Sequence, residues 1–138
     1  MNTILYKQVQ QLAADLLAAA ENENDGVFQQ LYDTLNQLCH ENEADAHKNH
    51  PVQWETLADF TEDYDEALAI YEKALTVSNA RKTRDYNASI QYAMALLLSD
   101  MGRETEALER VTSAKASANK IEDTELQREI AQLLKTLS

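Results

Sequence analysis

A chain of 138 residues, 44% of them apolar, is long enough for one domain with a real core and too short for two comfortable ones. Twelve basic against 24 acidic residues leave a net charge of -12, which argues against nucleic acid, whose binding draws on Lys and Arg to release counterions, and points to neutral or basic protein or peptide partners. One cysteine allows no internal disulfide, and the N-terminus "MNTILYKQVQQLAADLLAAA" has neither a basic lead nor the ~18 apolar residues of a membrane span, so a soluble, cytoplasmic protein is expected.

Two glycines and one proline leave little material for hairpin turns, and no stretch alternates β-branched with polar residues, so the chain reads as all-α. Ile4, Leu5, Val9, Leu12, Ala13, Leu16 and Leu17 recur at helical steps and paint one stripe on a first helix that fades in "ENENDG". A second follows with Phe28, Leu31, Tyr32, Leu35 and Leu38. Pro51 suits the first turn of a short third helix, where its missing N–H costs no bond, and Trp54, Leu57 and Phe60 are its apolar contacts.

Four more helices are expected. "DYDEALAIYEKALTV" presents Ala67, Leu68, Tyr71, Ala74 and Leu75 behind acids that suit the positive end of the helix dipole. "TRDYNASIQYAMALLLSDMG" adds Tyr86, Ile90, Ala93, Met94, Leu97 and Met101, and ends at Gly102, where a left-handed residue commonly closes a helix. "RETEALERVTSAKASA" shows Ala107, Leu108, Val111, Ala114 and Ala118. The last, "EDTELQREIAQLLKTL", starts at Asp123 as N-cap and carries Leu126, Ile130, Leu133, Leu134 and Leu137.

The fourth and sixth helices repeat each other. "DYDEALAIYEKAL" from Asp63 and "RETEALERVTSAK" from Arg103, 40 residues apart, both place "EAL" at one offset, and Ala67, Tyr71, Ala74 answer Ala107, Val111, Ala114. Small residues flanking a large one have a packing cause: the partner helix of a hairpin approaches closely only where side chains are small.

On these residues the chain resembles the tetratricopeptide repeat family, whose second helix carries alanine, aromatic, alanine at those spacings. The match runs through residues 63–75 and extends over 86–118, with Ala95, Gly102, Ala107 and Ala114 in the small places. The period of 40 exceeds the family's, which is about 34. The usual proline after the second helix is missing from "TVSNARKT" and "KASANKIED". The resemblance implies a right-handed superhelix of about three antiparallel helix pairs in a single domain, 1–138. It would comprise a degenerate first pair at 3–43, a linker at 41–50, repeats at 51–79 and 84–118, and a solvating cap at 123–137.

Chemistry is sought first in "CHENEADAHKNHP", which holds the cysteine, all three histidines and the proline. Cys39 continues the apolar stripe of the second helix and is expected to be packed. His40, its neighbour, points about 100° away on a helix. His47 and His50 stand in a polar connector with nothing apolar to hold them, so no metal site and no cofactor are expected, and the segment reads as a linker. Neither glycine forms a phosphate loop, "GxSxG" and "HExxH" are absent, and the carboxylates gather at helix starts, so the chain is not expected to be an enzyme.

The expected function is a non-catalytic adaptor that binds a peptide or protein segment in the concave groove the resemblance implies. Ser89, Tyr92, Leu96 and Ser99 of the fifth helix, with Gln53, Thr56 and Asp59 of the third, would face it. These are neutral or acidic, unlike the Lys, Arg and Asn of family members that clamp a C-terminal carboxylate. The alternative is an acidic stoichiometric inhibitor or immunity-type protein that blocks a basic partner such as a nuclease. Its basis is charge asymmetry, since residues 1–70 carry Lys7 and Lys48 against 14 acids, whereas residues 71–138 carry ten of each sign.

Overall fold

The computed structural model describes residues 2–138. Among them it has seven α-helices and no strand: α1 (Thr3–Glu21), α2 (Asp25–Asn42), α3 (Pro51–Asp59), α4 (Tyr64–Arg81), α5 (Arg84–Asp100), α6 (Glu104–Ala118) and α7 (Thr124–Leu137). The all-α class read from the scarcity of glycine and proline is the class observed. Packing divides the chain into two compact units, Met1–Ile70 and Tyr71–Ser138. No helix among the described residues is long and apolar enough to cross a membrane.

Short polar side chains start the helices. Asn2 and Asn24 accept the amide protons of Leu5 and Val27 at 3.0 and 3.2 Å, and Asp63 and Asp123 accept those of Glu66 and Leu126 at 2.9 and 3.0 Å. Each satisfies one donor that the first turn leaves open, an effect of about 1 kcal/mol. Asp123 does what its place in the sequence predicts.

Three helices stop by one device. After α1, α4 and α5 the chain turns left-handed at Glu23 (φ 54°), Lys82 (φ 57°) and Gly102 (φ 77°). In each case that residue's N–H and the next one's reach back to the last turn. Asn24 donates to Ala19 at 2.9 Å, Thr83 to Ser78 at 3.1 Å and Arg103 to Leu98 at 2.9 Å. This is the Schellman arrangement, which glycine enters without steric cost. Only the Gly102 stop is visible as a glycine; Glu23 and Lys82 hold the same conformation with a Cβ.

In the first unit α1, α2 and α3 pack against one another. Val9, Leu16, Leu35, Cys39, Trp54 and Leu57 are buried there. Cys39 is packed as expected, its thiol directed at the carbonyl oxygen of Gln53 at 3.3 Å. Trp54 fixes the segment between α2 and α3. Its indole N–H donates to Asn49 Oδ1 at 2.7 Å, and the His40 ring stands edge-on to it with centroids 5.4 Å apart.

That segment corrects the expectation of an unsupported polar connector. His47 is exposed, but His50 is only 6% exposed, and its Nδ1 accepts the Val52 amide at 3.1 Å as the N-cap of α3, one residue before Pro51. An imidazole can cap this way only while Nδ1 keeps its lone pair.

In the second unit α5 lies along α6, and α6 along α7. One buried cluster joins small residues, Ala88 and Ala95 from α5 and Ala114 and Ala118 from α6, to Val111, Ile121 and Ile130. Alanine on both sides of the α5/α6 pair lets the backbones approach, the packing cause proposed for the repeated "EAL" stretches. A polar chain ties α5 to the end of α4 and to α6: Asn87 donates to Asn79 Oδ1 at 2.7 Å, while Gln91 and Ser117 donate to Asn87 Oδ1 at 2.9 and 2.7 Å.

Two readings change in detail. α5 is covered on more than one side, so Ala88, Gln91, Ala95 and Leu98 are buried besides the expected Ile90 and Met94. On α7 only Ile130 is fully buried; Leu126, Leu133, Leu134 and Leu137 pack against the cluster but stay partly open. Gln127 anchors the helix by donating to the carbonyls of Ala118 and Ile121 at 2.7 and 3.0 Å.

Overpacking at the alanine contact gives a first test. Ala114→Leu should cost about 1–3 kcal/mol in denaturant unfolding, and Ala116→Leu on the exposed face should stay within about 0.5 kcal/mol. The helix stops give a second. Lys82→Gly should raise stability by about 0.5–1 kcal/mol, because it removes left-handed strain, whereas Gly102→Ala should lower it by about 1 kcal/mol by introducing that strain.

Candidate functional site

On α5, Ser89, Tyr92, Leu96 and Ser99 recur at steps of three and four and form one stripe. The structure keeps them together on a partly open face: Ser89, Tyr92 and Ser99 are half-buried and Leu96 is 40% exposed. The adjoining row of the helix, Ala88 and Ala95, is committed to the alanine contact with α6.

α7 supplies the other wall. Tyr92 borders a recess of about 380 Å³ with Arg128, Glu129, Gln132, Leu133 and Thr136. The sequence reading did not include these α7 residues, because it treated the helix as a cap with a polar outer face. Their signal was the helical spacing 129, 132, 133, 136, which lies a quarter turn from the buried Ile130 stripe.

Tyr92 is the one described group here whose ionisation is visibly shifted. Its phenol is pushed above the ordinary value, first by desolvation, then by the Glu129 carboxylate, which repels the phenolate and accepts the hydroxyl's hydrogen bond. The neutral phenol is therefore the form the recess holds. Tyr92 offers a flat apolar ring anchored at its polar end, and Leu96 and Leu133 extend the apolar strip on either side.

The third-helix residues are placed differently. Gln53 is 2% exposed and donates to the Lys48 carbonyl at 2.6 Å, and Thr56 is 9% exposed and donates to the Val52 carbonyl at 2.6 Å. Both are turned into the first unit, where Gln53 helps hold the segment before α3. Asp59 is exposed at the end of α3. Nothing in α3 thus presents a row comparable to that on α5.

Among the described residues no three His, Cys, Asp or Glu side chains converge so as to hold a metal ion. His40 faces Trp54, His50 caps α3 and Cys39 is sealed in the interior, so the histidines and the cysteine of residues 39–50 are dispersed. The asymmetry of charge coincides with packing: the boundary between the two units at residue 70 is the one that separates 14 acids and two bases from ten of each. No family model, curated protein or solved structure matches the chain.

The shifted phenol sets a pH test. A tyrosine whose folded value lies above its unfolded one, about 10, contributes stability that is complete below that value and is lost as pH rises through the folded value, because the unfolded chain gives up the proton more readily. Alkaline titration followed by tyrosinate absorbance should show a late step that belongs to Tyr92. Tyr92→Phe should remove that late step, and Glu129→Gln should move it earlier.

Proposed function

We propose that this chain is a non-catalytic protein–protein interaction module that receives a peptide or protein segment on the α5 face. The observation that carries the reading is the open strip of Tyr92, Leu96 and Leu133 beside the recess between α5 and α7. A half-buried aromatic ring flanked by one exposed and one half-buried leucine is the composition of an interface centre, where one or two anchors supply most of the binding energy. The tetratricopeptide-like repeat, with three helix pairs in a right-handed superhelix and α7 at its end, belongs to the same proposal. Its support is the "EAL" repeat and the alanine contact of α5 with α6.

The near-balance of charge around the recess, Arg128 beside Glu129, favours a segment chosen by apolar side chains and hydrogen bonds over one chosen by charge. A second reading, an acidic inhibitor of a basic partner, is favoured only by the 14 acids of the first unit.

Selection from a displayed random peptide library tests the proposal. Peptides enriched on the native protein should share apolar anchors, and the double variant Tyr92→Ala/Leu96→Asp should weaken them about tenfold or more. Peptides that bind the double variant as well as the native protein would overturn the α5 reading.

A further inference from the structure

The first unit carries a second open surface, on the α1/α2 hairpin. One stripe of each helix is interior: Val9 and Leu16 on α1, Leu35 and Cys39 on α2. About a quarter turn away a different stripe of each helix faces outward and the two border a groove. Its wider end, about 700 Å³, is bordered on α1 by Ile4, Gln8, Gln11 and Leu12 and on α2 by Thr34, Gln37, Leu38 and Glu41. It continues toward the α1–α2 turn as a shallower stretch of about 320 Å³ between Asp15, Ala18 and Asn22 on one side and Val27 and Leu31 on the other.

The floor is aliphatic and uncovered. Ile4 is 74% exposed and Val27 41%, and Leu12, Leu31 and Leu38 are half-buried. From Ile4 to Asn22 the groove follows α1 for about 27 Å, the length of a partner helix of about 18 residues. The walls are amides and carboxylates. Gln11 holds Asp15 at 2.9 Å and Gln37 holds Glu41 at 2.7 Å, so both carboxylates are oriented by an amide on their own helix, and neither makes an ion pair among the described residues.

We propose that this groove docks a basic amphipathic helix of a partner protein, with its apolar stripe along Ile4, Leu12, Leu31 and Leu38 and its Lys and Arg side chains over Asp15 and Glu41. Charge complementarity selects this occupant. The unit around the groove carries 14 acids and two bases, so an approaching cationic helix is attracted from every side. Lys48, the base that borders the groove, follows α2 at its wide end, and Asp15 is the one charged side chain that borders the narrower stretch. A second copy of this chain would bring the same acidic unit against itself, and like charges at such a contact oppose pairing. The surface is separate from the α5 face and does not depend on the reading given to that face.

Three synthetic peptides of about 18 residues test the proposal by fluorescence anisotropy with the full chain. The first is amphipathic with Leu on one face and Lys and Arg on the other; the second has the same composition in scrambled order; the third replaces every base by Glu. The first should bind, and its affinity should fall about tenfold between roughly 50 and 300 mM salt. The scrambled and acidic peptides should bind at least about tenfold more weakly. Ile4→Glu, and separately Asp15→Lys with Glu41→Lys, should each cost about tenfold, while Tyr92→Ala should change nothing. Equal binding of the amphipathic and scrambled peptides overturns the proposal, as does binding that survives the groove variants. Sedimentation that shows self-association abolished by Ile4→Glu also overturns it, since a second copy would then be the occupant.

Discussion

An α-helix satisfies its own backbone but covers none of its own apolar side chains, so every stripe in an all-helical chain must lie against a neighbour or remain in water. With helices of 9 to 19 residues and 138 residues in all, there are too few neighbours to go round. Unit by unit the chain makes one good contact and leaves an adjoining stripe open. In the second unit the good contact is alanine on alanine between α5 and α6, and the cost of that economy is that α7 covers the cluster with one fully buried residue, Ile130, and four half-buried leucines. In the first unit the good contact is the hairpin with α3 around Trp54, and the adjoining rows of α1 and α2 stay uncovered.

Helix existence was legible because it depends on spacing alone: apolar residues at steps of three and four, polar N-caps and a single proline at the start of α3. Where the helices stop was legible once, at Gly102. Glu23 and Lys82 hold the same left-handed conformation, but their side chains carry no sign of it, since nothing in a charged surface residue announces positive φ. Those two stops are held by the back-bonds to the last turn, which exist only in the folded chain. His50 was misread for a related reason. A histidine in a polar run looks solvated, yet the turn that brings Asn49 to Trp54 and Lys48 to Gln53 also carries His50 inside.

The resemblance named two rows of candidate residues, and packing leaves only one of them together on a partly open face. Ser89, Tyr92, Leu96 and Ser99 stand on one α5 face because a helix of this length preserves a three-and-four stripe. Gln53 and Thr56 share that spacing on α3, but α3 is 9 residues long and lies among the other elements of its unit, so six of its residues are buried. Spacing specifies which side chains share a face; it does not specify whether the face is covered. Glu129 illustrates the converse. It looks like an ordinary solvent-facing acid of an amphipathic helix, and only the placement of α7 beside α5 makes it the partner of Tyr92.

The two open surfaces also differ chemically. Around Tyr92 a cation and an anion stand side by side, and the phenol is held neutral by burial, so a ligand there must replace water with apolar contact and hydrogen bonds; that kind of recognition changes dissociation more than association. In the α1/α2 groove Asp15 and Glu41 are oriented by amides, and the surrounding unit carries the whole net charge of the chain. A partner is drawn to such a surface before it touches, and the apolar floor decides only what remains bound. Separating the charged part of the sequence from the balanced part at residue 70 therefore does more than tune solubility: it gives the two units different physical means of choosing a partner.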